Sequence, residues 1–250
     1  LGFYSVAMHL ASLPSQKVSG LVNQVAFPTF ARMQDDLQRG GENVLLGVRM
    51  LSFFAFPVLW GMSSIAPEMV EVILGPKWSQ AAVPMQLIAL IIPLRMITNF
   101  VQTAIQGIGR SDIVLRNVVW ASLIAPPAFF IGTNWWGLLG LSLAWLVVSP
   151  VVVAQAMSRG LPTLGLSIGQ FVAAMLPAAS TSLIMYCAVA ITRKVFLDGQ
   201  GGMLSLSVLV GVGALACCVV SYAFHRKEMR EVLDILSSIV TAKRPQSKAN

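Results

Sequence analysis

Five stretches of this chain contain no Asp, Glu, Lys or Arg: residues 50–67, 78–94, 117–158, 160–192 and 199–225. About 20 mostly apolar residues are what an α-helix needs to cross a bilayer's hydrocarbon, and these runs reach or approach that length. They do not alternate apolar with polar residues, as the ~10-residue strands of a membrane β-barrel do. Apolar residues make up 56% of the 250 and charged residues only 11%, against roughly 25% charged in an ordinary soluble domain. Mean hydropathy is +0.76. Too little polar surface is left to coat a water-soluble globule, which nearly excludes a soluble enzyme. Disorder is excluded too, because disordered chains are highly charged rather than apolar. A polytopic membrane protein is what the composition allows.

The run 117–158 is too long for one span. Thr133, Asn134, Trp135, Trp136 and Gly137 break it with a turn that carries interfacial tryptophans. Residues 2–31 and 78–107 are apolar apart from one central cation each, Lys17 and Arg95. The expectation is an all-α polytopic bundle with about seven helices, at 2–30, 46–66, 80–106, 113–133, 137–157, 166–192 and 203–224. Residues 1–224 form the bundle and 225–250 a basic tail. In that tail Met229, Val232, Leu233, Leu236, Ile239 and Val240 recur at helical spacing beside Arg226, Lys227 and Arg230, the pattern of an amphipathic helix on an anionic leaflet.

Of the 17 Lys and Arg, twelve fall in one set of loops and the tail. Lys77, Arg193 and Lys194 fall in the opposite set. The positive-inside rule makes the larger set cytoplasmic, so the first helix runs from outside to inside and the C-terminus is cytoplasmic. Trp60, Trp78, Trp135 and Trp136 then gather at the outer interface. The net charge of +7 is spread as this rule demands, with no aromatic-interleaved patch, so no nucleic acid partner is expected. The first residue already lies in a helix entering from outside, and no initiator Met or signal peptide precedes it. The expectation is therefore the C-terminal part of a longer protein, with an odd number of spans and the other half of a cavity upstream.

No catalytic, cofactor or metal site is expected. Cys187, Cys217 and Cys218 sit within spans at spacings that fit no zinc site and read as small apolar fillers. His9 and His225 are far apart in sequence. No Ser-His-Asp set, P-loop or paired carboxylates appear; Asp35, Asp36 and Asp112 read as solvated loop residues. Gly165 and Gly169 have helix-packing spacing, a weak signal when it occurs once.

Two features of the spans point to transport. Prolines punctuate them: Pro14, Pro28, Pro57, Pro84, Pro93, Pro126, Pro127, Pro150 and Pro177. An interior proline frees a carbonyl and bends a helix, which suits a protein that opens and closes a cavity. Polar residues also share faces. Ser5, His9, Ser12, Gln16, Ser19 and Asn23 step by four or three along the first helix, with Lys17 and Gln24 flanking that face. Arg95, Asn99, Gln102 and Gln106 do the same in the third. Such stripes cannot face lipid, where each unpaired polar group costs several kcal/mol. Lys17 and Arg95 lie near the middle of their helices, where an ionised side chain costs at least ~2.5–3.5 kcal/mol. Three explanations stay open: acids in the missing half pair with them, they snorkel to an interface, or they line a wet cavity that receives an anion. An ammonium and a guanidinium fork suit phosphate oxygens, and binding at the midplane is the general logic of secondary transporters.

The opening Leu1, Gly2, Tyr4, Ser5 and Ala7, followed by Leu13-Pro14, Phe27-Pro28 and Gln34-Asp35-Asp36, resembles the start of the second half of Wzx-type oligosaccharide flippases. The segment Leu74-Gly75-Pro76-Lys77-Trp78 and the turn Gly107, Gly109 and Arg110 are similar to the WzxC-like exporters of the multidrug/oligosaccharidyl-lipid/polysaccharide superfamily. The motifs cover roughly residues 1–120; beyond them only span number and loop length agree. The resemblance implies the C-terminal lobe of a two-lobed transporter that works by alternating access in a bacterial inner membrane. It implies an undecaprenyl-diphosphate-linked oligosaccharide as cargo, with membrane lipids, the N-terminal half of the same chain and polymerase or export machinery as partners. Lys17 and Arg95 are not motif positions; with Gln16, Asn23, Gln24, Asn99 and Gln102 they are substrate-binding candidates on the midplane argument alone. Three other readings fit the spans less well. A drug or organic-cation antiporter calls for a membrane carboxylate that these spans lack. A glycan polymerase or ligase calls for a large periplasmic loop. A non-transporting scaffold has no reason to hold cations at the midplane.

Overall fold

The computed structural model describes residues 2–31, 37–196 and 202–224. All the regular structure among them is helical. The elements are α1 (Gly2–Ala31), α2 (Leu37–Ser64), α3 (Ala66–Leu74), a 3-10 turn (Pro76–Ala81), α4 (Ala82–Gly107), α5 (Ser111–Gly160), a second 3-10 turn (Leu161–Leu164), α6 (Ile168–Phe196) and α7 (Met203–Phe224). Among the described residues, five segments are long and apolar enough to cross a membrane: Arg39–Ser64, Pro76–Gly107, Ser111–Leu164, Ile168–Phe196 and Met203–Ala223. The chain is an integral membrane protein.

One of those segments cannot be a single rod. Fifty helical residues would extend about 75 Å, over twice the thickness of the hydrocarbon. Within α5, Trp136 (φ −131°, ψ 16°) and Gly137 (φ 57°, ψ −131°) leave helical geometry. Only glycine adopts the second conformation without strain. The residues on either side then meet in antiparallel register. Gly132 faces Gly140 so closely that a Cβ on Gly140 would stand 1.8 Å from the Gly132 carbonyl oxygen. Phe129 packs on Trp145 with ring centroids 4.9 Å apart, and Asn117 faces Gln155 at 3.5 Å. The arms 111–135 and 138–160 thus form a hairpin, turning where the sequence placed its Trp-Trp-Gly break.

α4 is the central element, packing against α1, α2 and α5. Two-thirds of the apolar window that includes it is buried, against 22% for α7. Its Met85, Ile88, Ala89, Ile92, Met96, Ile97, Phe100, Val101, Ala104 and Ile105 join Val44, Val48, Leu51, Ala55 and Leu59 of α2 in one core. Trp60 donates to the Leu90 carbonyl at 3.0 Å, and the Ser63 hydroxyl to that of Gln86 at 2.9 Å. α6 lies on the opposite side of α2 and carries α7. Several buried hydroxyls donate within their own helices, as Ser52 does to Val48, Thr98 to Leu94 and Ser182 to Ala178; this satisfies them where water is scarce. The large apolar side chains of α5, α6 and α7 that remain exposed, among them Leu123, Phe130, Val147, Leu176 and Leu215, suit acyl chains.

Several boundaries differ from the sequence expectation. α2 begins at Leu37 rather than near 46, so Arg39 and Arg49 belong to a helix. Residues 67–79, expected as an outer loop, fold into α3 and a 3-10 turn. Pro67 stands in the first turn of α3, where its missing N–H costs nothing, and Glu68 beside it meets the positive end of the helix. Gly75 (φ 87°) ends the helix. The Gly165 and Gly169 spacing is not a packing motif. Gly165 takes φ 68° after the 3-10 turn, and a Cβ on Gly169 meets only the Ser167 hydroxyl. α2, α4, α5 and α6 run on through Pro57, Pro93, Pro126, Pro127, Pro150 and Pro177. The amphipathic tail 225–250, with His225, and the Asp35 and Asp36 positions lie outside the described residues.

Candidate functional site

A cleft of about 280 Å³ opens between α1 and α4, lined by Met8, Ser12, Ser15, Gln16, Ile92, Arg95, Met96 and Asn99. Helical periodicity explains its composition. Met8, Ser12, Ser15 and Gln16 step along one face of α1, and Ile92, Arg95, Met96 and Asn99 along one face of α4. The polar part of each wall meets the other near the middle of both helices. Gln16 donates from Nε2 to the Ser12 hydroxyl at 2.8 Å. Ser12 and Ser15 donate to the carbonyls of His9 and Ser12 at 3.0 and 2.8 Å. Each of these contacts stays within α1.

Of the seven candidates read from sequence, the cleft brings together Gln16, Arg95 and Asn99. Lys17 is exposed on α1 beside Gln16 and is not among the lining residues. Gln102 is half-buried one turn beyond Asn99 and outside the lining. The side chains of Asn23 and Gln24 lie outside the described residues. Asp112 is exposed at the start of α5 and pairs with Arg110 at 3.3 Å. Cys187 and Cys218 are exposed and Cys217 half-buried, so two of the three face outward rather than fill the core.

The sequence reading missed what holds Arg95. Its guanidinium lies 4.2 Å from the ring centroid of Trp145, on the second arm of the α5 hairpin. The Trp145 indole N–H donates to the Tyr4 hydroxyl of α1 at 2.7 Å, and Phe129 of the first arm packs against the same indole. An aromatic face therefore attracts the cation, an interaction of about 2 kcal/mol where water is excluded. It stands beside the three explanations left open from sequence. Trp145 carried a faint signal. It is eight residues into an arm, away from the helix ends where Trp60, Trp78, Trp135 and Trp136 fall, and where tryptophans of membrane proteins usually gather. Among the described residues no hydrogen bond or ion pair engages the Arg95 guanidinium.

A carboxylate pairs with a cation from another helix away from this cleft. Glu68 of α3 takes Arg193, from the end of α6, at 2.7 Å. Arg193 also donates to the Ser64 carbonyl at the end of α2. A second, apolar cleft of about 410 Å³ between α2, α6 and α7, bordered by Met62, Met185, Val189 and Leu209, holds no Lys, Arg, Asp or Glu. Among the described residues no three His, Cys, Asp or Glu side chains gather as a metal site.

The fold matches the lipid II flippase MurJ in its inward closed conformation with a TM-score of 0.72. The match covers 91% of this chain and 48% of MurJ at 16% sequence identity. The family of polysaccharide biosynthesis proteins matches residues 1–83, where the opening motifs fall. The chain is 27% identical over 172 residues to the lipopolysaccharide biosynthesis protein WzxC of Escherichia coli K12, across 68% of this chain and 35% of that protein. It is 24% identical over 217 residues to the teichuronic acid biosynthesis protein TuaB of Bacillus subtilis 168, across 86% of this chain and 45% of that one. The succinoglycan biosynthesis transport protein ExoT of Rhizobium meliloti is 28% identical over 127 residues, across 51% of this chain and 25% of that one. The chain thus spans less than half the length of these relatives, and its resemblance is to proteins of polysaccharide biosynthesis and transport.

Proposed function

We propose that this chain is the C-terminal lobe of a flippase that moves an undecaprenyl-diphosphate-linked oligosaccharide from the cytoplasmic to the periplasmic leaflet of a bacterial inner membrane. The observation that carries the reading is the polar cleft at Arg95, set mid-helix in a bundle otherwise apolar on its flanks. The α5 hairpin supplies two spans and α1 a further one, giving seven in all. The C-terminus is cytoplasmic, and the tail 225–250 lies on the inner leaflet. The other half of the cavity comes from a preceding lobe of the same chain, and the two lobes alternate in exposing it.

In this reading Arg95 and Lys17 offset diphosphate charge as the head group enters, while the lipid tail stays in the bilayer. Gln16 and Asn99 offer hydrogen bonds to sugar hydroxyls in place of lost water, with Asn23, Gln24 and Gln102 further along the same two helices. Lys17 contributes once the opposing lobe closes over its exposed flank. Charge complementarity favours this over a cation antiporter, since no Asp or Glu lines the cleft.

The test is complementation of a strain deleted for the full-length gene. Arg95→Gln should reach the membrane at wild-type level, yet leave lipid-linked glycan accumulating in the inner leaflet and surface polysaccharide lost. Wild-type export by that variant refutes the role of Arg95 and the anionic cargo with it.

A further inference from the structure

We infer that Trp145 and Tyr4 are positioning residues for Arg95, holding its guanidinium against the indole ring so that its hydrogen-bonding edge stays free for the anion. The inference rests on the proposed function, and it adds residues from α1 and the α5 hairpin to the α4 cleft.

A guanidinium can be held at its edge or by its face. Its five N–H donors all lie in its plane and point outward from the edge. A carboxylate that fixes an arginine occupies two of them in a bidentate fork. An aromatic face beneath the plane attracts the same charge and occupies none. At Arg95 the cation lies over an aromatic ring instead of in a carboxylate fork. The Trp145 ring lies 4.2 Å away, and no hydrogen bond or ion pair among the described residues takes up the edge. The ring is itself fixed on two sides. Its N–H donates to the Tyr4 hydroxyl at 2.7 Å, and Phe129 packs against it at 4.9 Å. Arg95 is a long, flexible side chain, and a lone one loses rotamer freedom when it closes on a ligand. A backing plane supplied by two other helices removes part of that loss beforehand.

The experiment is a double-mutant cycle on the full-length protein in nanodiscs, with farnesyl diphosphate as probe and its dissociation constant measured by calorimetry. Arg95→Gln and Trp145→Leu should each weaken binding about tenfold. The double variant should be no weaker than Arg95→Gln alone, because an absent guanidinium needs no backing. Trp145→Phe keeps an aromatic face and should stay within about threefold of wild type. Tyr4→Phe removes the acceptor that orients the indole. It should weaken binding less than Trp145→Leu, and not at all in the Arg95→Gln background; it also serves should Trp145→Leu fail to fold. If Trp145→Leu binds like wild type, or multiplies the defect of Arg95→Gln, the positioning role is overturned while the anion cleft stands. If Arg95→Gln itself binds like wild type, the cleft reading falls and this inference falls with it.

Discussion

Placing a methyl group on Gly140 tests the hairpin. Its Cβ would lie 1.8 Å from the carbonyl oxygen of Gly132, 2.6 Å from that residue's carbonyl carbon and 3.0 Å from the Trp136 Cβ. A carbon and a carbonyl oxygen settle about 3.3 Å apart, so the arms must separate by roughly 1.5 Å at this level. The obstacle is backbone, which has no rotamer to change. Overpacking ordinarily costs about 1–3 kcal/mol, and Gly140→Ala should reach the top of that range. Two glycines make the comparison. A Cβ on Gly211 of α7 meets nothing within 4 Å, so Gly211→Ala should be neutral or stabilise by up to about 1 kcal/mol through helix propensity. Gly132→Ala, whose Cβ would stand 2.6 Å from the Gly140 carbonyl oxygen, should resemble Gly140→Ala. Thermal unfolding of the detergent-purified full-length protein reads all three. A midpoint for Gly140→Ala equal to that of Gly211→Ala would show that the arms do not approach as described. The same splaying would shift Trp145, five residues along the arm, so Gly140→Ala should also weaken whatever Arg95 binds.

Three further expectations follow. Gly137→Ala places a side chain at φ 57°, ψ −131° and should cost about 1–3 kcal/mol; an unchanged melting midpoint would contradict the turn. Glu68→Ala removes the carboxylate facing Arg193 in a setting where the arginine is 30% exposed. The loss should be about 1–2 kcal/mol, with little more from Arg193→Gln in the same background; additive shifts would mean that the two do not act as a pair. Gly47→Leu drives a side chain into Phe100, whose ring atom would sit 2.3 Å from the new Cβ, and should lower membrane yield more than Gly40→Leu, whose Cβ has open space.

The long helices were legible because a bilayer punishes charge, and runs poor in charge mark most of them to within a few residues; α2 is the exception, since its first turns carry Arg39 and Glu42. The hairpin was legible for a second reason. No continuous helix of that length fits the membrane, and Gly137 offered the one backbone able to turn. What failed did so where charge misleads. Glu68, Glu71 and Lys77 interrupt an apolar run and so suggested a loop, yet Pro67 and Glu68 start a short helix whose Ala66 and Val70 are fully buried. Within the site, periodicity placed Gln16 on one polar stripe, with Lys17 on its flank, and Arg95 and Asn99 on another; that the two stripes face each other comes from the packing of α1 on α4. Periodicity could not reach Trp145. That residue comes 50 positions after Arg95 on an arm whose rotation is set by packing against α4, and no pattern within one helix encodes a partner on another.

The way α6 and α7 hang on the bundle has a mechanical consequence. Their main support is α2, with α3 tied on through Glu68 and Arg193, while the Arg95 cleft belongs to α1, α4 and the hairpin. A push delivered through this terminal pair, whether from surrounding lipid or a neighbouring protein, reaches the cleft by packing through α2 and then α4, besides the covalent link from α6 to the hairpin through the second 3-10 turn. Those two helices are the shaft through which the outer half of the lobe can turn the inner one.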